Sequence, residues 1–460
     1  MIFLFIFAIY LPIDSWQNDV LEELQVRGEY VTRFPSIRPY DIDDAKIYEN
    51  TLLQKRIWLP NLSVDARYDT VKVVRVKPTV FYESHAFTVF MQPVVKFGED
   101  SLPPSNQFMD LFSSDYERAY IRYHTENVNA FIGRERFALG PSPRYNLLLS
   151  GYSAPMDWFH FSFNTDVLKF SYYLSRLDDM YTKPLEYVGD TITEYIQASR
   201  YLSIRRLDFS PTEWLNVSFS EAATFGGEHY TLDVYHFNPV ILLHTYQYNW
   251  DKDANLFFHI DARVFLKNLS FYAALLVDDF QLEEDPNNEP HHLGFNCGIE
   301  FADFLNFQKT FWIIEYTALT RYMYTHFVPY QRYHYVNTPI GSHYGPDYDE
   351  LYTKFIYHVG TKIDLYAQGS YTRKGETTIS NPWPIPEVPR QQGTSFPTDN
   401  FLSGIVQTSF NVGIGVRFFQ RQLFCSDIFL GYCHITNFGH EDGTTKNFLS
   451  FRIQLGLIHL

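Results

Sequence analysis

Residues 255–266 read NLFFHIDARVFL, and the alternation in this stretch decides how the chain folds. Phe258, Ile260, Ala262 and Val264 fall on one face of an extended strand and His259, Asp261 and Arg263 on the other, because successive strand side chains point to opposite sides. The same period recurs in both directions. Upstream, Phe159, Phe161 and Phe163 oppose His160, Ser162 and Asn164, while Leu168, Phe170, Tyr172 and Leu174 oppose Lys169, Ser171, Tyr173 and Ser175. Downstream, Ile363, Leu365 and Ala367 oppose Lys362, Asp364, Tyr366 and Gln368, and Leu449, Phe451, Ile453, Leu455 and Leu457 oppose Ser450, Arg452, Gln454 and Gly456. Further segments of this kind lie near 72–82, 86–97, 116–125, 128–137, 198–208, 214–222, 239–248, 270–279, 294–302, 311–320, 352–359, 405–417 and 424–434. The total is about eighteen strands, an even number suited to a bacterial membrane barrel. Many run well past the roughly five or six residues of a soluble strand and match a tilted crossing of the hydrocarbon layer.

Composition narrows the class. The 460 residues carry 53 acidic and 37 basic side chains, a net charge of −16 that repels a nucleic-acid backbone. Aromatics reach 18% and hydrophobic residues 45%, too apolar for disorder. Cys297, Cys425 and Cys433 form neither a disulfide framework nor a zinc-site spacing. MIFLFIFAIYL at Met1–Leu11 has the length of a secretory h-region, so residues 1–16 are expected to be a signal peptide. No later stretch reaches the ~18 uninterrupted apolar residues of a membrane-spanning helix. The expected fold is all-β: a transmembrane antiparallel β-barrel of about 18 strands over 61–460, with partly helical plug or loops. A short α/β lead-in over 17–60, periplasmic or plug-like, precedes it. Aromatic residues crowd the strand ends, as at Trp58, Phe81-Tyr82, Trp158-Phe159, Trp250 and Trp312, in the manner of interfacial girdles. Short turns alternate with long loops expected near 98–115, 177–197, 280–292, 321–351 and 373–404.

Several ordered motifs carry a family resemblance. Phe131 to Ser150 reads FIGRERFALGPSPRYNLLLS and is followed by GYSAPMDWFHFSF; residues 201–228 read YLSIRRLDFSPTEWLNVSFSEAATFGGE. HFNP stands at 236–239, VDDFQ at 277–281 and IGSHYGPDYDE at 340–350. In this order they resemble the capsule-assembly Wzi family over roughly residues 20 to 460. The resemblance implies an outer-membrane barrel of about eighteen strands, partly plugged by helices, that acts as a lectin for capsular or extracellular polysaccharide at the surface of a diderm bacterium. Outer-membrane lipid and the barrel-assembly machinery are then its other partners. The chain departs from the habit of outer-membrane barrels in ending at Leu460 rather than on an aromatic residue.

Lectin chemistry needs aromatic rings to stack on sugar C–H faces, and carboxylates or Arg to bond hydroxyls. The densest supply lies in 321–351, where Tyr330, Arg332, Tyr333, His334, Tyr335, His343, Tyr344 and Asp347 are expected to contact the polysaccharide. Arg134 and Arg136 are expected to share a strand face and suit an anionic polymer, or to pair with Asp261 and Glu221. Asp278 and Asp279 are added as carboxylates; as strand neighbours they address opposite faces unless the strand bulges. No catalytic residue, cofactor or metal site is expected: Gly151-Tyr152-Ser153-Ala154-Pro155 fails as a nucleophile elbow. The alternatives are a polysaccharide or oligosaccharide export channel or porin, and an outer-membrane hydrolase built on Ser162 or Ser171 with His160.

Overall fold

The computed structural model describes residues 10–40, 46–47, 62–68, 72–84, 86–99, 112–181, 186–188, 191–193, 197–245, 254–279, 291–381, 401–420 and 424–457. Alternating segments become wall strands. They are β1 (Leu62–Tyr68), β2 (Lys72–Pro78, resumed as Val80–Glu83), β3 (Phe87–Glu99), β4 (Ser113–His124), β5 (Val128–Glu135) and β6 (Met156–Asn164). Next come β7 (Leu168–Arg176, resumed as Met180–Tyr181), β8 (Gln197–Thr212), β9 (Leu215–Glu228), β10 (Ala254–Leu266), β11 (Leu269–Asp279) and β12 (His292–Ala302). The last six are β13 (Thr310–Leu319), β14 (Tyr348–Val359), β15 (Ile363–Lys374), β16 (Gln407–Gln420), β17 (Phe424–Thr436) and β18 (Thr445–Leu457). Each pairs antiparallel with its sequence neighbours, and β18 returns to β1 with Leu457 opposite Leu62 and Phe451 opposite Tyr68. Closure leaves the sheet no edge, so backbone N–H and C=O groups are paired around the ring, as a hydrocarbon environment demands.

The two faces of the wall are inverted relative to a soluble protein. Ile132, Phe159, Phe219, Ile260, Phe295, Leu365, Ile414, Leu430 and Leu449 are exposed on the outside. Arg118, Arg206, Asp261, Arg263, Glu300, Arg417 and Asp427 are buried within. That polarity is the signature of a barrel standing in a lipid layer. Among the described residues no helix is long and apolar enough to cross a membrane, so the crossing is made by strands. Burying charge costs several kcal/mol per ion unless it is paired, and pairs line the lumen. Arg206 lies between Asp208 (2.9 Å) and Asp261 (2.7 Å), and Arg118 bonds Glu135 (2.7 Å).

Connections alternate in length. Those leaving odd-numbered strands are mostly long and those leaving even-numbered strands short, which puts the start of β1 and the end of β18 at the short-turn end. Two details correct the sequence reading. The expected strand at 239–248 is absent over its described part: the Glu221 carboxylate accepts the backbone N–H groups of Leu243 (2.8 Å) and His244 (2.9 Å), starting a helical turn at 243–245. Leu62–Tyr68, not expected, supplies a strand instead, so the total of eighteen is reached with one segment exchanged. Connections 136–155 and 229–253 join the expected long loops.

The lead-in enters the lumen. Helix α1 (Trp16–Arg27) ends at Gly28, whose φ of 74° suits a residue without a side chain. Gly28 N–H donates to Gln25 O at 3.0 Å and Glu29 N–H to Leu24 O at 2.8 Å. Its acidic residues reach wall cations: Asp19 bonds Lys354 (2.7 Å) and Arg417 (2.5 Å), and Glu22 bonds Arg263 (2.8 Å) and Arg38. Glu23 meets His358 at 2.7 Å, while Arg27 bonds Asp303 at 2.6 Å. Burial opposes ionisation of Glu22, yet Arg263 and Arg38 outweigh it and hold the carboxyl below its ordinary range. Asp19 is held low in the same way by Lys354 and Arg417. Residues 1–9 of the expected leader lie outside the described residues; Tyr10 and Leu11 are buried in the barrel.

Candidate functional site

Two connections from the long end, 136–155 and 320–347, fold back into the lumen and meet there. Leu147, Leu148 and Leu149 are almost wholly buried, a run that would be costly on an exposed loop. Tyrosines of the second connection stitch this run down: Tyr324 Oη donates to Leu147 O at 2.5 Å and Tyr333 Oη to Leu148 O at 2.7 Å. Ser150 N–H donates to Ile340 O at 3.1 Å. Gly341 is required at this crossing, because a Cβ there would collide with Leu147 O and the Tyr324 hydroxyl. The joined segments pack on Phe90, Tyr120 and Phe131 of one wall and on Ile204, Phe257 and Leu276 of another, as one hydrophobic cluster. That cluster spans the lumen from wall to wall.

Where the two connections reach solvent they form an aromatic face. Tyr145 lies on His343 with ring centroids 3.9 Å apart, and His343 on Tyr344 at 3.9 Å. Tyr152, 40% exposed, stands 5.6 Å from both Tyr145 and His343. Tyr348 closes the far side at 5.2 Å from Tyr344. Below them the Arg144 guanidinium sits between the rings of Tyr145 (4.7 Å) and Tyr352 (4.1 Å) and pairs with Glu350. Burial and the Arg144 charge push His343 well below the usual imidazole value, so its ring is neutral. His343 Nδ1 has no hydrogen-bond partner among the described residues. Burial, with the Glu350 charge, pushes the Tyr344 hydroxyl up to about 12, so it stays protonated and able to donate.

The expected site residues divide. His343 and Tyr344 belong to this face. Tyr333 is fully buried against Leu148. Asp347 is fully buried too: it accepts Thr377 N–H (3.0 Å), Ser403 N–H (3.1 Å) and the Ser403 hydroxyl (2.5 Å), tying β15 to the chain before β16. Tyr330, Arg332 and His334 give backbone carbonyls to Arg200, at 2.9, 2.6 and 3.1 Å. Burial and the Arg200 charge lower His334 to about 4. Tyr335 is half-buried near the rim. Arg134 and Arg136 do not share a face. Arg134 points outward, bonding Asp157 (2.9 Å) and Asp115 (2.9 Å), whereas β5 ends at Glu135 and Arg136 turns into the lumen to Glu117 (3.1 Å). Their expected partners are engaged elsewhere, Asp261 with Arg206 and Glu221 at the helical turn. The register of β11 slips between Val277 and Asp279, the bulge that adjacent carboxylates required, and Asp278 accepts Tyr324 N–H at 3.0 Å. Asp279 closes β11; its side chain lies outside what is described.

Sequence reading passed over Arg144, Tyr145, Tyr152 and Glu350 as site residues. The signal was present, since PSPRYN and GYSAP put two tyrosines and an arginine beside a leucine run, but 128–137 was read as strand and the segment after it as motif only. His160 and Ser162 both face inward from β6. The His160 ring is engaged with Tyr172 O (3.0 Å) and stacked on Tyr173 (4.2 Å), while Ser162 Oγ and Ser171 Oγ have no hydrogen-bond partner among the described residues. Among the described residues no three His, Cys, Asp or Glu are placed to hold a metal.

Comparison with known proteins follows the same lines. A family model described as capsule assembly protein Wzi matches residues 61–448. No curated protein matches the chain. Among solved structures, Wzi of Escherichia coli is described as an outer membrane protein involved in group 1 capsule assembly and a carbohydrate-binding β-barrel. It aligns with a TM-score of 0.68 at 14% identity, over 98% of this chain and 100% of that one. That likeness is one of fold. The outer membrane protein OprD of Pseudomonas aeruginosa (TM-score 0.45, 8% identity, 87% and 93% covered) and OccAB1 of Acinetobacter baumannii (0.45, 9%, 86% and 94%) score lower and add nothing to the assignment.

Proposed function

Because the chain belongs to the capsule assembly Wzi family, we propose that it stands in the outer membrane, binds capsular or extracellular polysaccharide and holds it at the cell surface without chemical change. The observation that carries this reading is the solvent-reaching aromatic face of Tyr145, Tyr152, His343 and Tyr344, set beside the buried hydrophobic cluster that spans the lumen. Tyrosine rings offer flat apolar faces to sugar C–H groups, and their hydroxyls exchange hydrogen bonds with sugar hydroxyls. A face of this kind retains a polymer through repeated contacts of modest strength, since linked contacts raise avidity without new chemistry. No bond needs to be made or broken.

An export channel would need an open path, and the hydrophobic cluster spanning the lumen argues against one. Planar-bilayer recording separates the two: the anchor is almost silent, whereas steady ohmic conductance of porin size would overturn it. A hydrolase would release shorter chains from surface polysaccharide incubated with the purified barrel, and the anchor leaves chain length unchanged.

A further inference from the structure

The barrel closes where β18 meets β1, and two like charges face each other across that seam. Arg67 of β1 stands directly opposite Arg452 of β18, so their side chains leave the sheet on one face, about 4.5–5.5 Å apart at Cβ. Leu62, Val64, Ala66 and Tyr68 take the lipid side of β1, which gives Arg67 to the lumen. Arg67 is exposed there, with no hydrogen bond or ion pair among the described residues. Arg452 lies over the Phe429 ring at 5.4 Å, and its Nε has no hydrogen-bond partner among the described residues.

Elsewhere in the lumen carboxylates meet guanidinium groups, as Asp208 and Asp261 meet Arg206. At the seam the carboxylates in neighbouring register positions are already committed, Asp427 to Arg417 (2.8 Å) and the Tyr366 hydroxyl (2.6 Å), Asp65 to Arg75 (3.4 Å). Like charges directly opposite destabilise a sheet, a cost that an anion lying between them removes. The seam also adjoins the aromatic face. Burial and Tyr145 push the Tyr152 hydroxyl up and the Arg67 charge acts against them, which sets that guanidinium beside the partly exposed ring. The chain's net charge of −16 repels a polyanion only weakly beyond the screening length of about 8 Å at physiological salt, so the local balance decides.

We propose that Arg67 and Arg452 form a subsite for the carboxylate of an acidic sugar in the bound polysaccharide, with Tyr152 stacking on the same sugar. This deepens the polysaccharide-binding reading and rests on it. A uronic acid carries its carboxylate at the edge of the ring, so a sugar lying on Tyr152 extends that group sideways, toward Arg67. Guanidinium forks match the two oxygens of a carboxylate and fix its orientation as well as its charge.

The test uses the full barrel in detergent and polysaccharide shed by its own cells, either native or with its carboxyl groups reduced to alcohols, which removes charge and keeps the chain. Affinity electrophoresis should give the native polymer a dissociation constant at least about tenfold lower than the reduced one, and added salt should narrow the gap. Arg67→Gln and Arg452→Gln should each bring binding of the native polymer down toward that of the reduced one. Arg67→Gln relieves a repulsion, so its midpoint of heat-induced gel-shift unfolding should not fall; a lowered midpoint would mark Arg67 as a structural group and overturn the assignment. Equal binding of the two polymers, whether or not salt weakens it, overturns the inference and leaves polysaccharide binding standing. A preference for the native polymer that survives both substitutions also overturns it. Retention by neither polymer overturns both readings.

Discussion

Strand β10 and connection 136–155 lie on facing sides of the same buried cluster, yet they arrive there by different physics. In β10 every second residue is committed by the pleat: Ile260 goes to the lipid side and His259, Asp261 and Arg263 to the lumen, and pairing with β9 and β11 makes that choice local. In 136–155 no period exists. Leu147, Leu148 and Leu149 are consecutive and all buried, because the connection is enclosed on every side by walls and by 320–347. A wall is specified by alternation, whereas a plug is specified by what it docks against.

This contrast can be broken in order of expected effect. Acid is the broadest perturbation. Asp19 and Glu22 have carboxyls held below their ordinary range in the folded barrel, so their contribution to docking α1 is complete above the unfolded value, near 4, and is lost as pH falls through the lower folded values. Pepsin cleavage inside residues 16–27 should thus be absent between about pH 5 and 4, where the protease is still active, and rise only well below about pH 4; cleavage already present between about pH 5 and 4 would mean the helix is not held by these pairs. Next in size is Arg263→Ala, which strands Glu22 and Glu300 in the lumen and should cost about 3–5 kcal/mol, read as a lower midpoint of heat-induced gel-shift unfolding. Tyr324→Phe removes the hydroxyl that bonds Leu147 O and accepts Ser342 N–H, and should cost about 1–3 kcal/mol while leaving the wall intact. Smallest is Ser162→Ala, at a buried hydroxyl with no described partner, which should be close to neutral in stability and in polysaccharide retention. A large loss of function there would revive the hydrolase.

Legibility in the sequence follows the same division. Fold class, closure and strand orientation were readable from alternation, as 255–266 and 449–457 show. Leu62–Tyr68 carries the same alternation, Leu62, Val64, Ala66 and Tyr68 against Ser63, Asp65 and Arg67, but in only seven residues, while the apolar residues of 239–248 imitate a strand and hide the cap that Glu221 makes from β9, a contact distant in sequence. The site was half readable. Aromatic density drew attention to 321–351 and found His343 and Tyr344, but density could not separate a ring that faces solvent from Tyr333, which the leucine run covers. Likewise Arg134 and Arg136 look equivalent by period two, and only the end of β5 at Glu135 sends them apart.

The central claim is that this barrel holds polysaccharide at the surface, and the most direct measurement is polysaccharide in the cell-bound and culture-supernatant fractions after deletion of the gene. Anchoring predicts material shed into the medium at unchanged total, restored to cells by the intact chain and not by one carrying Tyr145→Ala and Tyr344→Ala. Loss from both fractions, with polymer trapped inside the cell, would contradict the anchor and mark an exporter.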